Sequence, residues 1–193
     1  MFKRDWFANP MPIADRDTFI AAKRLQPVRA WDLAWTESEH GKEPDYSVGV
    51  LLGYDRESTI CYILDVARGR WSPAGLEQVI VTTAVRDGYE YRIRIPQDAG
   101  AGKFVAHYMA KKLVRFAVTI EPEVGMGNKA QRAVSFAAHC ENRFVVLAQA
   151  DWNTAFVDEL CAFPNGVNDD QVNAAAAAFR AAARRPQFYA VGA

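Results

Sequence analysis

Three β-rich runs follow one another near the start of this chain with no helical pattern between them, and that order restricts the fold more than any single motif. Residues 28–35, VRAWDLAW, alternate, with Trp31, Leu33 and Trp35 on one side and Ala30, Asp32 and Ala34 on the other. YSVGVLLGYD and STICYILDVARG come next, rich in β-branched and aromatic residues and separated by the turn-like YDRES. Consecutive strands joined in this way predict an antiparallel meander.

Beyond the meander the pattern changes to alternating helix and strand. SPAGLEQVIVTTAVRDG opens with Ser72 as an N-cap and Pro73 at the first helical position, and it stops near Gly88. EYRIRIPQ reads as a strand ending at Pro96, GKFVAHYMAKKL as an amphipathic helix, FAVTIEP as a strand, GNKAQRAVSFAAHC as a helix and NRFVVLAQ as the last strand. WNTAFVDELCAF and the alanine-rich stretch after Asn168 are the closing helices. Three meander strands continued by helix-linked strands predict an α/β mixed sheet flanked by helices. Residues 1–27 mix aromatics, prolines and charges without a period and read as a connector or edge element rather than core.

The 193 residues suffice for one domain with a substantial core, and half of them are hydrophobic. No apolar run approaches the ~20 residues needed to span a bilayer. The opening MFKRDWFANP lacks a long apolar segment of the secretory type, so an intracellular setting is expected. Cys61, Cys140 and Cys161 are odd in number and sit in apolar segments, the pattern of reduced, buried thiols. His40, His107 and His139 are isolated, which argues against zinc. The formal net charge is zero, so any contact with nucleic acid must be local or assisted rather than driven by bulk charge.

The segment FPNGVNDDQVNAAAAAF holds the most informative charges. Asn168 and Gln171 form an N-x-x-Q capping-box pattern, which puts Asp169 and Asp170 in the first helical turn. Acids there complement the helix dipole, for about 0.3–1 kcal/mol each. Spacing adds a second reading. Asp169, Val172, Ala176 and Phe179 recur at steps of three, four and three, so Asp169 continues the stripe that faces the core. A carboxylate in that position needs a partner, because an unpaired buried charge is costly.

Asp32 raises the same question, since Ala30 and Ala34 leave room over its carboxylate; the alternative is an acid on a wet sheet face. Asp98, in IPQDAGAGKF, lies between a strand and a helix, where α/β folds place ligands. That segment is no Walker A loop, since Gln97 and Phe104 stand where Gly and Ser or Thr are required. Gly100 and Gly102 permit close backbone approach and Lys103 can reach a phosphate, or the glycines simply form a tight turn. Acids from three separate elements, without His or Cys, suit a hard cation such as Mg²⁺ or Mn²⁺. Two such ions about 4 Å apart support phosphodiester cleavage.

RAWDLAW, DYSVGVLLG, YILDVARGRWSP, QDAGAGK, GNKAQRA, WNTAFVDELCAFPNG and NDDQVNAAAAAF, in that order, resemble the C-terminal nuclease domain of the large terminase subunit of tailed bacteriophages over roughly residues 25–180. The resemblance implies an RNase H-like fold over 28–186, with 1–27 descending from an interdomain connector and 187–193 a tail. It implies a Mg²⁺- or Mn²⁺-dependent endonuclease that cuts concatemeric viral double-stranded DNA in the host bacterial cytoplasm, at the procapsid portal. Its partners would be the terminase ATPase domain, the small terminase subunit and the portal. Asp32 matches the first-strand metal ligand, Asp98 falls where relatives usually carry Glu, and Asp169 and Asp170 match the paired acids. Asn168 stands where relatives often have His, and Asn173 where they often have a further Asp.

Asp45 and Asp65 also match recurrent acids, Asp45 as a residue behind the metal ligands or a ligand of a second metal, and Asp65 as a structural partner of Arg68 or Arg70. Lys103, Lys129 and Arg132, near glycine-containing turns, are the expected phosphate contacts. Two alternatives stand beside the nuclease. One is a catalytically weak or silent module that docks on the portal or a terminase partner. The other is a different member of the same broad fold, such as a resolvase or an actin-like nucleotide binder, although DLAWTE lacks the glycine of a phosphate loop.

Overall fold

The computed structural model describes residues 1–34, 46–97, 101–122 and 127–184, with residues 101–103 described for their backbone only. The meander forms as the sequence predicts. Strand β1 (Gln26–Asp32) pairs antiparallel with β2 (Ser47–Tyr54), and β2 with β3 (Cys61–Gly69). Asp32 lies opposite Val48, which in turn lies opposite Arg68, so these three positions share one level of the sheet.

The helix-linked strands extend both edges. β4 (Arg92–Gln97) runs parallel to β1, β5 (Ala117–Pro122) parallel to β4, and β6 (Val145–Leu147) parallel to β3, giving the order β5-β4-β1-β2-β3-β6. The mixed α/β sheet is therefore as expected, with its antiparallel pairs at the centre.

Helices cover both faces, and the alternation in β1 decides what each receives. Val28 and Ala30 pack under α4 (Lys129–Glu141), α5 (Asn153–Ala162) and α6 (Asp170–Ala183). Trp31 faces the other way, into a core with Leu76 and Ile80 of α2 (Pro73–Asp87) and Met109 and Leu113 beside α3 (Ala101–Lys112). Asp32 thus shares a face with buried Val28 and Ala30 and is only half-buried at the strand's end. The alternative of a wet sheet face does not hold, because α6 covers it.

Local signals placed α2 well. The Ser72 side chain accepts from the Gly75 amide at 3.3 Å, Pro73 leads the helix, and Gly88 ends it at φ 105°, a conformation that disfavours side chains.

The N-terminal segment departs from expectation in part: Met11 bridges Ala148 beside the β6 edge, as an edge element would, but other residues enter the core. Its aromatic residues act as separate anchors rather than one periodic face. Phe2 and Phe7 are buried in the core beneath α4, α5 and α6, and the Met1 ammonium donates to the Phe163 carbonyl at 2.9 Å. A short helix, α1 (Arg16–Ala22), puts Ile20 against Leu51, Tyr62 and Leu64. Cys61 and Cys140 are buried as expected, Cys161 is half-buried, and all three are free thiols. Among the described residues, no helix is long and apolar enough to cross a membrane.

Candidate functional site

α6 is built to be swallowed. Val172, five consecutive alanines from Ala174 to Ala178, Phe179 and Ala182 are all buried, and the small side chains let the helix lie close against β1 and β2. Its N-terminus therefore stands at the end of β1 that carries Asp32. The stripe expected from spacing is present, with Asp169 at its open rim, 26% exposed in its side chain.

The capping expectation is corrected. Asp169, not Asn168, occupies the N-cap, and its side chain makes no capping bond. Gln171 does not reach back to the cap either. It is buried, donating through its backbone N–H to Glu159 Oε1 at 2.7 Å and through Nε2 to Glu159 Oε2 at 2.6 Å. Glu159 of α5 thus satisfies an orphan donor of α6 from a neighbouring helix. The capping box in this molecule belongs to α4, where Asn128 and Gln131 bond each other's backbone amides.

Relieved of capping, the Asp169 carboxylate turns to other partners. Its Oδ1 accepts from Lys129 Nζ at 2.7 Å and from Asn173 Nδ2 at 3.0 Å. Lys129 is the first residue of α4, so the start of α4 is brought to the start of α6. Burial acts to lower the Lys129 pKa, but the hydrogen bond to Asp169 and the charges of Asp169, Asp32 and Asp170 prevail and raise it above its ordinary value. One ammonium therefore feels Asp32 of β1 together with both acids of α6.

Other expected site residues divide into two groups. Asp45 and Asp98 lie outside the described residues, as does the side chain of Lys103. Lys129 stands against the acids, and Arg132, one turn further along α4, is half-buried with its carbonyl accepting from Arg180 at 3.2 Å. Among the described residues, no group of three or more His, Cys, Asp and Glu side chains has the geometry of a metal site. Asp169, with Asp32 and Asp170 acting on the same lysine, presents carboxylate oxygens, the donor type that a hard divalent ion takes.

Asp65 is structural, as expected, but its partners are not Arg68 or Arg70. It accepts from buried Arg29 at 2.7 Å and from Arg86 at 2.5 Å. Burial pushes its pKa up, yet Arg29 and Arg86 outweigh that and hold it below the usual carboxylate range. Arg68 instead stacks 3.5 Å from the Tyr46 ring centroid and lies 3.5 Å from Glu159.

Glu159 was missed by sequence reasoning, although a signal existed. It sits three residues after buried Phe156, on the apolar stripe of α5, the position that made Asp169 conspicuous in α6.

Comparison with known proteins agrees with this architecture. The family model described as the terminase RNaseH-like domain matches residues 29–182. The large terminase nuclease of thermophilic phage G20c with bound zinc superposes with a TM-score of 0.62 at 18% identity, over 92% of this chain and 95% of that one. The P22 large terminase nuclease domain gives 0.65 at 15% identity, over 95% and 92%. The G20c nuclease with bound magnesium gives 0.58 at 19% identity, over 92% and 94%. No curated protein matches the chain. At such identities the likeness to the solved structures is one of fold.

Proposed function

Because this chain belongs to the terminase RNaseH-like domain family, we propose that it is a metal-dependent DNA endonuclease domain of a phage packaging terminase, cleaving concatemeric viral DNA. The observation that carries this reading is Asp169 bonded to the Lys129 ammonium at 2.7 Å, with Asp32 and Asp170 close enough for their charges to raise the same lysine's pKa. Carboxylates gathered around a cation suit Mg²⁺ or Mn²⁺, and the zinc- and magnesium-bound forms of the G20c nuclease support a divalent ion here. Asp98 is the further candidate ligand, with Asp45 behind it.

A pair of such ions, when bound, supplies an activated water and stabilises the leaving oxygen of the phosphodiester. The chain's own residues do the holding. Asp32 is fixed by the last pairing of β1, and Asp170 by the first turn of α6. Asn173 orients Asp169 through its Nδ2, and Lys129 offsets the acids' mutual repulsion. Lys103, Lys129 and Arg132 are the proposed phosphate contacts on double-stranded DNA. The reading locates the domain in the host bacterial cytoplasm, beside the terminase ATPase domain, the small subunit and the portal.

A second reading is the weak or silent docking module. It draws on Asn173, an amide where relatives often carry a further acid, and on Lys129 already bonded to Asp169. Plasmid nicking by the purified domain in Mn²⁺, Mg²⁺ and EDTA separates the two. The nuclease reading expects cutting in either ion, none in EDTA, and loss of cutting in Asp32→Asn and in the paired Asp169→Asn, Asp170→Asn variant. A folded wild-type domain that leaves plasmid intact at low salt in both ions transfers the reading to the docking module.

A further inference from the structure

The sheet face that carries Asp32 continues across β4 and β5, where α6 ends and no described helix covers it. Register aligns Arg92 with Val28 and Arg94 with Ala30, then Thr119 with Arg94. Paired residues share a face, so Arg92, Arg94, Thr119 and Glu121 stand on the α6 side. With Ala181 and Arg184 at the end of α6 they line a cavity of about 310 Å³.

The charges in this cavity do not cancel. Glu121 is its sole acid among the lining residues, and both of its oxygens are engaged, Oε2 by Arg94 Nε at 2.6 Å and Oε1 by Arg184 Nη1 at 3.1 Å. Arg92 has no carboxylate partner among the described residues. Its Nη1 donates to the Ala181 carbonyl at 3.2 Å, while Nη2 is buried without a hydrogen-bond partner. Arg56 stands nearby, donating to the Ala182 and Arg184 carbonyls. Burial, and behind it the Arg56 charge, lowers the Arg92 pKa from its ordinary value.

Two arginines at a helix C-terminus complement its dipole and bond its last carbonyls, which accounts for Arg56 and for Arg92 Nη1. It does not account for Nη2. A buried charged donor left unpaired is unfavourable, and native structures rarely keep one without a ligand or water to meet it.

We propose that this cavity is a phosphate subsite, in which the Arg92 guanidinium turns its Nη2, which has no exposed surface in the unliganded protein, toward a phosphate oxygen beside the exposed Thr119 hydroxyl. Arg92 lies four residues back along the sheet from the level of Asp32, about 13 Å at ~3.3 Å per residue. A strand of DNA advances ~3.4 Å of axis per nucleotide, so a few nucleotides connect the two positions. The phosphate chemistry stands on the cavity alone; DNA as its source rests on the nuclease reading.

The test uses the whole chain. Binding of a labelled DNA duplex is followed in EDTA over a series of salt concentrations, and thermal melting is followed with and without inorganic phosphate. Arg92→Met removes the donor. Thr119→Glu puts a carboxylate at an exposed position on the cavity wall, so it tests the site even where Arg92→Met fails to fold. Val85→Glu adds the same charge on exposed α2, on the opposite face.

In Thr119→Glu the slope of log K against log salt is expected to shrink by about 0.9, the value for one phosphate contact. Val85→Glu is expected to match wild type. A phosphate-dependent rise in melting temperature lost in Thr119→Glu, with the DNA slope unchanged, keeps the subsite but assigns it to a free phosphorylated molecule. An unchanged slope and an unchanged phosphate response in folded Thr119→Glu overturn the proposal, as does an equal effect of Val85→Glu. Since binding is read in EDTA, failed nicking with an intact slope difference sinks the nuclease reading alone.

Discussion

Arg29 and Asp32 lie three residues apart on the same strand, and their surroundings are opposite in kind. Arg29 is 1% exposed and fully engaged, bonding both oxygens of Asp87 at 2.7 and 2.9 Å, Asp65 at 2.7 Å and the Gly49 carbonyl at 3.0 Å. Around it Arg16, Arg29 and Arg86 face Asp17, Asp65 and Asp87, three charges against three. At the end of the strand, Asp169 bonds the Lys129 ammonium at an open rim, and the charges of Asp32 and Asp170 act on the same lysine. Balanced, buried charge holds a fold together. Carboxylates gathered at a half-buried rim contribute less to stability and are better placed to meet a cation.

Substitution at each end sharpens that contrast. Asp87→Asn leaves the Arg29 guanidinium without its main partner in a buried position, and about 3–5 kcal/mol of stability is expected to go. Urea denaturation would show this as a lower midpoint, and a midpoint within error of wild type would break the contrast. Asp32→Asn is expected to do the reverse. Cleavage falls roughly 10–100-fold, as for loss of a group that holds a metal ligand set together, while the melting temperature stays close to that of wild type because the side chain is only half-buried at the strand's end.

Glu159→Ala joins the two regions. It strips α6 of its borrowed cap, leaving the buried Gln171 backbone N–H unsatisfied and its Nε2 with the Ala155 carbonyl as remaining acceptor, for about 1–3 kcal/mol. Cleavage is expected to fall with it, since Asp169 and Asp170 ride on that turn. Normal cleavage with reduced stability would mean that the cap supports the helix without positioning the acids.

Lys129→Met carries the smallest stability effect, about 0.2–1 kcal/mol, because its side chain is 55% exposed. The sign of its pH dependence is fixed. Its raised pKa contributes stability that is fully present below the ordinary lysine value of ~10.4 and fades as pH rises through the folded value. Asp65 behaves oppositely, since its lowered pKa contributes stability above ~3.9 that is lost as pH falls through the folded value. The gap between wild type and Asp65→Asn in thermal melts is therefore expected to close in acid, and the gap to Lys129→Met in strong base.

The sequence by itself determined what is decided within a turn or a strand. Ser72, Pro73 and Gly88 bound α2 through contacts at most four residues apart, and the alternation of VRAWDLAW selected which side chains face which core. The stripe through Val172, Ala176 and Phe179 placed Asp169 at the buried edge of the last helix for the same reason. Tertiary structure decided the partners. Arg29 meets Asp87 across 58 residues and Lys129 meets Asp169 across 40, and nothing in local spacing selects Arg29 and Arg86 over Arg68 and Arg70 as partners of Asp65. The N-x-x-Q pattern misled at Asn168 because Glu159 reached Gln171 first, while the same pattern was true at Asn128. A side-chain donor takes the best acceptor the packed fold brings within about 3 Å, and only the completed sheet, with β4 beside β1 and α6 laid across β1 and β2, fixes which acceptors those are.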